Sequence, residues 1–131
     1  MKKYDIPYNS LFSLLAPKSR LQGETQRYPA LIAMMRHPGI LGYFSFLAGE
    51  QDVAHKKPAP DMVNLALGTL GVTPVECMVV GDTVYDIKMG RRASADTCAV
   101  TWGNNSADEL RLPGPTFLVD SFAEIVSLLK P

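Results

Sequence analysis

Two carboxylates and one ammonium group carry the chemistry that can be read from this sequence. Asp82 and Asp86 lie in the stretch Cys77-Met78-Val79-Val80-Gly81-Asp82-Thr83-Val84-Tyr85-Asp86-Ile87. An apolar run enters a glycine, then an aspartate, then a second aspartate four residues on. Such a run reads as a buried strand that ends in a tight turn and opens a helix. Asp82 is then expected at the carboxyl end of the strand and Asp86 in the first helical turn. Two carboxylates so placed can share a hard cation, because Mg²⁺ takes a few protein oxygens and keeps several waters. Open parallel sheets hold their ligands in the crevice beyond the carboxyl ends of the strands. The stretch points to a metal and phosphate site.

The ammonium group is Lys57, in Lys57-Pro58-Ala59-Pro60-Asp61. Pro58 restricts Lys57 to extended geometry, so the lysine is expected on a stiff loop. Pro60 suits the first turn of a following helix. A rigidly held ammonium beside metal-binding carboxylates can neutralise a phosphoryl group and the oxyanion attacking it. Each signal alone has a plainer reading. A Gly-Asp pair also serves as a helix N-cap, and a Lys-Pro pair is usually a solvated loop. Their occurrence together, in this order and at this spacing, is far more specific.

These groups need a frame. Tyr43 to Ala48, Met78 to Gly81, Thr97 to Thr101 and Thr116 to Val119 read as strands. Between and after them lie helical stretches: Asp61 to Leu70, Thr83 to Ala95, and one from Ser121 onward. In the first, Met62, Val63, Ala66, Leu67 and Leu70 make a broad apolar face, and Gly71 stops it. In the second, Lys88, Arg91 and Arg92 share one face, while Ile87, Gly90 and Ala93 share another. This basic face reads as solvated, with a phosphate-binding role as its alternative. The third opens with a Ser121–Glu124 capping box and buries Phe122, Ile125, Val126 and Leu129. Strands alternating with helices predict a mostly parallel sheet between helical layers, an α/β three-layer sandwich. Nearer the start, Leu11 to Ala16 could be a strand and Leu21 to Met35 a helix broken or kinked at Pro29. Pro113-Gly114-Pro115 is a turn, and Trp102 is expected either at the crevice or in core or rim packing.

Bulk properties narrow the function. The chain of 131 residues is 47% hydrophobic and 20% charged, suited to one domain (1–131) with a single core. Residues 1–15 form an atypical N-terminal segment of it. Thirteen basic residues balance thirteen acidic ones, so nothing in the charge asks for nucleic acid or an anionic membrane. No apolar run is long enough to span a bilayer, and the start lacks the apolar centre of a secretory signal. Cys77 and Cys98 each sit in an apolar strand-like run. They are expected as buried free thiols in a reducing cytoplasm, with a disulfide between neighbouring strands as the alternative. His37 and His55 make no metal-ligand pair, and His55 is expected in an exposed loop.

Lys57-Pro58-Ala59-Pro60-Asp61, followed by Val80-Gly81-Asp82-Thr83-Val84-Tyr85-Asp86-Ile87, resembles motifs III and IV of the haloacid dehalogenase superfamily. Within it, the chain is most similar to the phosphoglycolate-phosphatase-like hydrolases. Gly49-Glu50-Gln51-Asp52-Val53 and Val100-Thr101-Trp102-Gly103-Asn104 agree with this. The resemblance covers residues 40–130 well and 16–40 loosely. It implies a Rossmann-like core and Mg²⁺-dependent hydrolysis of a small phosphomonoester through an aspartyl-phosphate. It also implies Lys57 as the group stabilising the nucleophile and the phosphoryl charge, Asp82 as the principal Mg²⁺ ligand, and Asp86 as the second acidic residue.

The sequence also departs from that family. Its nucleophile is the first Asp of an Asp-x-Asp-x-Thr motif, and no such triplet occurs in these 131 residues. Met1-Lys2-Lys3-Tyr4-Asp5-Ile6 looks like the lead-in to that strand, but Pro7-Tyr8-Asn9 follows. Asp5 lies too early for the role. Where the family has a hydroxyl residue two positions before a lysine, Ala16-Pro17-Lys18 stands. The helical cap domain has no counterpart. The text reads as if an internal piece were deleted near the start, leaving a core without its usual first strand. The expectation is a phosphatase-type hydrolase, weakly active or inactive alone, taking a small phosphorylated metabolite or phosphate. The alternative is a non-catalytic binding or assembly module with a vestigial Mg²⁺ and phosphate site. A gap in mid-sheet would be filled by Lys2 to Ile6, by closure of the flanking strands, or by a second copy in a homodimer.

Overall fold

Short apolar runs set between amphipathic stretches of about ten residues can bury both kinds of face only by stacking helices on a sheet. The computed structural model, which describes Phe46 and residues 48–129, has this form. Strands β1 (Met78–Gly81), β2 (Asp96–Val100) and β3 (Phe117–Val119) pair in parallel in the order β1-β2-β3. Val80 faces Cys98 across the first ladder, and Cys98 faces Phe117 across the second. Helices α1 (Asp61–Leu70), α2 (Val84–Arg92), α3 (Ala107–Arg111) and α4 (Phe122–Leu129) complete the described elements. The sandwich, its parallel sheet and most element positions agree with the sequence.

The pleat sends alternate strand residues to opposite faces, and each face has its own cover. Met78, Cys98, Val100 and Val119 pack with Ile125 and Leu129 of α4. On the other face Val63 and Leu67 of α1 join Cys77, Val79 and Met89. Ile87 of α2 and Leu110 of α3 meet over Ala99. Ile87, Cys98, Ala99 and Leu110 are fully buried. Thr97 is buried too, and its polar groups are satisfied reciprocally. Its N–H donates to Thr116 Oγ1, and its Oγ1 accepts from the Thr116 N–H, both at 3.0 Å.

Local chemistry sets the ends of the elements. Gly71 closes α1 in the left-handed region (φ 69°), where its N–H donates to the Leu67 carbonyl. Ser121 caps α4, with the Ser121 N–H donating to Glu124 at 3.0 Å. The expected helix from Thr83 to Ala95 is shorter: Thr83 is its N-cap, and the helix ends at Arg92. Helix α3 was not anticipated, although Ser106 and Glu109 form the same capping box at its start.

Some burial differs from expectation. Phe122 is 61% exposed and leaves the stripe of α4 to pack against Trp102, with ring centroids 5.6 Å apart. Val80, expected inside a buried strand, is 39% exposed and stands outside the cluster under α4. Among the described residues β1 pairs only with β2. Phe46 and Ala48, the described part of the expected strand over 43–48, lie outside the sheet. The expected elements over 11–16 and 21–35, the segment 1–15 and Ala16-Pro17-Lys18 lie outside the described residues. No described helix is long and apolar enough to cross a membrane.

Cys77 and Cys98 are free and buried, on opposite faces of the sheet. Burial pushes the Cys77 thiol up. The same desolvation, with the nearby Glu124 charge second, pushes Cys98 up to about 11. A folded-state pKa above the unfolded value means that the native thiol keeps its proton while the unfolded one loses it. Stability is therefore expected to decline as pH rises above about 9. Native protein at pH 8 should resist a thiol-reactive chromogen until denaturant is added. Stoichiometric labelling within seconds would contradict the burial described here.

Candidate active site

The site begins where β1 ends. Gly81 carries the chain out of the strand beneath the Asp86 side chain, and a Cβ at Gly81 would overlap the Cβ and Cγ of Asp86. Thr83 then caps α2. Its Oγ1 accepts from the Asp86 N–H at 3.3 Å, while Asp86 Oδ2 accepts from the Thr83 N–H at 3.1 Å and from its hydroxyl at 2.8 Å. A carboxylate in the first turn is also favoured by the helix dipole. Asp86 is thus fixed by its own turn, with a side chain only 11% exposed.

Its other oxygen, Oδ1, meets Lys57 Nζ at 2.7 Å. This contact joins residues 29 positions apart and brings the Lys-Pro loop to the mouth of β1. The loop is tied down elsewhere as well. The Ala59 N–H donates to the Lys56 carbonyl at 3.1 Å, and Arg92 Nη1, at the far end of α2, donates to the Pro58 carbonyl at 3.1 Å. His55, exposed as expected, sits 3.1 Å from Asp61 Oδ2 at the start of α1. The Lys57-Pro58 peptide is cis. Helix α2 therefore grips the loop near both of its ends, through Asp86 and through Arg92.

Asp82 is held by the loop after β2. Its Oδ2 accepts from the Asn104 N–H at 2.8 Å, and its carbonyl accepts from the Asn105 N–H at 3.2 Å. Gly103 permits the approach, since a Cβ there would overlap Asp82 Cβ and Oδ2. Asn105 Oδ1 accepts from the Val84 N–H at 2.9 Å, and its amide nitrogen lies 3.3 Å from Glu109. The backbone N–H of Ser106, then its side chain, holds the Glu109 carboxyl below the usual range, so it stays ionised. The arrangement brings Lys57 and Asp86 into contact, with Asp82 next to Gly81 at the same strand end. Of the supports Thr83, Asn105 and Arg92, the last two left no trace in the sequence. The one available signal was the Thr-x-x-Asp capping spacing at Thr83.

The donor set suits a hard cation. Asp82 Oδ1 makes no hydrogen bond among the described residues, so it can bind a cation directly. Both oxygens of Asp86 are already engaged, which suits contact through a metal-bound water. No cluster of three His, Cys, Asp or Glu able to hold a metal occurs among the described residues. Mg²⁺ does not require one, because one or two carboxylates and waters suffice. Trp102 and Phe122 follow β2 and β3 and form an aromatic pair on the same side of the sheet ends.

Comparison with known proteins identifies the family of the chain. The family model for haloacid dehalogenase-like hydrolases matches residues 25–94, just over half of the chain, and this range includes Lys57, Asp82 and Asp86. The chain belongs to that family. It is 37% identical over 94 residues to the probable phosphatase IndB of Dickeya dadantii, a match covering 72% of the chain and 41% of that protein. It is 35% identical over 101 residues to the phosphoglycolate phosphatase of Pectobacterium atrosepticum, covering 77% and 43%. A candidate phosphoglycolate phosphatase of Lactobacillus delbrueckii subsp. bulgaricus superposes with a TM-score of 0.66 at 32% identity, covering 75% of this chain and 41% of that one. The chain thus spans about two-fifths of the length of these relatives.

The two glycines beneath the carboxylates give a direct check. Gly103→Ala and Gly81→Ala should each destabilise the protein by about 1–3 kcal/mol, because backbone or a held carboxylate must move to admit the methyl group. Gly68 lies inside α1 with nothing near its Cβ position. Gly68→Ala should instead stabilise by about 0.5–1 kcal/mol. Urea midpoints for the three variants decide the matter. Neutral effects at Gly81 and Gly103 would mean that the carboxylates do not lie where described.

Proposed function

We propose that Lys57, Asp82 and Asp86 form the metal-binding and charge-neutralising part of a Mg²⁺-dependent phosphomonoester hydrolase site. The observation that carries this reading is the 2.7 Å contact of Lys57 Nζ with Asp86, beside an Asp82 whose Oδ1 makes no hydrogen bond among the described residues. Asp82 Oδ1 would hold Mg²⁺ directly and Asp86 would hold it through water. When bound, the ion would polarise phosphoryl oxygens and neutralise developing charge. Lys57, 41% exposed, can reach both Asp86 and an anion entering the crevice. The substrate class is a small phosphorylated metabolite of the kind taken by phosphoglycolate phosphatases, and the support is the similarity to such proteins.

Turnover by the 131-residue chain is expected to be weak. Covalent phosphoryl transfer needs a nucleophile held in line with phosphorus, and no Asp-x-Asp-x-Thr triplet occurs in these residues. Losing a covalent nucleophile usually costs several orders of magnitude in rate. The second reading, a binding module that keeps the ion and anion site, rests on the same observation. A strand from a second copy along β1 remains our proposal for a homodimer, since β1 pairs on one edge only among the described residues. Two free thiols support a reducing cytoplasmic setting.

Two measurements together test the site. Mg²⁺ should raise the melting temperature by a few degrees, as any ligand of the native state does, and Asp82→Asn should abolish the rise. Hydrolysis of p-nitrophenyl phosphate with Mg²⁺ should stay near background in the wild type. Absence of any Mg²⁺ effect would overturn the metal assignment. Robust turnover lost in Lys57→Ala would overturn the expectation of weak activity and establish Lys57 as catalytic.

A further inference from the structure

Helix α2 carries a second group of charges, of which the site above uses only Arg92, as a tether for the Pro58 carbonyl. Lys88, Arg91 and Arg92 lie on its exposed face and line a surface concavity of about 430 Å³, closed on one side by Leu112 and Pro113. No carboxylate pairs with any of the three among the described residues. The negative end of the helix dipole accounts for two arginines in the last turn. It does not account for Lys88 or for the way the guanidinium groups are held.

Each guanidinium is anchored to a different loop. Arg91 Nη1 donates to the Pro113 carbonyl, and Arg92 Nη1 donates to the Pro58 carbonyl at 3.1 Å. The turn under Arg91 is shaped to receive it. Gly114 has φ 75°, and a Cβ at that position would meet Arg91 Nη1 at 2.8 Å. Anchoring by Nη1 leaves the other N–H donors of each fork available. An arginine fork matches a phosphate with two parallel hydrogen bonds, whereas lysine acts as a point charge. Two pre-oriented forks and one ammonium suit two linked phosphates. Leu112, 85% exposed, offers an apolar wall to an organic group attached to them.

We propose that this concavity is a binding site for a small organic diphosphate, separate from the Lys57, Asp82 and Asp86 site. Isothermal titration of ADP into the 131-residue chain, at low salt with EDTA, tests it. Wild type and Lys57→Ala should bind one ADP alike. Arg91→Gln and Arg92→Gln should each weaken binding roughly tenfold or more, and Lys88→Gln should weaken it about threefold, as expected for lost charge-assisted contacts. Inorganic phosphate should bind at least about tenfold more weakly than ADP, for want of the second phosphate. Lys88 makes no hydrogen bond among the described residues, so Lys88→Gln remains decisive if an arginine variant fails to fold. The proposal is overturned by an absence of saturable binding, or by binding that survives all three neutralisations. Binding lost in Lys57→Ala but kept in Lys88→Gln also overturns it, because ADP would then occupy the other site.

Discussion

The candidate site depends on one contact, the ion pair between Lys57 and Asp86. Without it, the Lys-Pro loop is one more surface connection and the two aspartates are a strand-end turn with a helix cap. With it, an ammonium group from 29 positions away joins the Asp82–Asp86 turn at the carboxyl end of β1. The pair is half-buried, 41% exposed on the lysine side and 11% on the carboxylate side. Exposed pairs contribute little, and fully buried ones lose much of their attraction to desolvation. An intermediate pair, with its carboxylate already oriented by Thr83, loses less entropy on forming.

Asp86 serves two purposes. It completes the capping box that starts α2, and it anchors Lys57. Asp82, one turn of chain away, is fixed by different means: main-chain donors from the loop after β2 and the closeness that Gly103 allows. Two carboxylates with such different surroundings can take different roles. Asp82 leaves Oδ1 without a hydrogen bond among the described residues, while Asp86 holds the Lys57 ammonium in place. The parallel sheet makes this economical, because β1 and β2 deliver Asp82 and the Gly103-Asn104-Asn105 loop to the same end.

Much of this could be read in the sequence, for definite physical reasons. Met78 to Gly81 and Asp61 to Leu70 were bounded correctly because glycine and proline punctuate them and their periodicity is clear. Lys57, Asp82 and Asp86 were visible because their chemistry is unusual at that spacing. Helix α3 was missed because five residues show no periodicity, although its Ser106 and Glu109 cap was present. Phe122 was misplaced because helical spacing does not reveal that Trp102, twenty residues earlier, offers an exposed aromatic partner. Arg92 reads as a solvated charge until the fold sets the Pro58 carbonyl beside it. Three-dimensional supports of this kind, in which a side chain finds a distant backbone group, leave no periodic trace.

The most direct test is a double-mutant cycle on the pair itself, using Lys57→Met, Asp86→Asn and the double variant, with stability measured by urea unfolding. If the ammonium and the carboxylate meet as described, the two substitutions should couple by roughly 1 kcal/mol, and added salt should reduce the coupling only in part. Additive effects, with coupling indistinguishable from zero, would show that Lys57 does not reach Asp86. The assembled site would then have no physical basis.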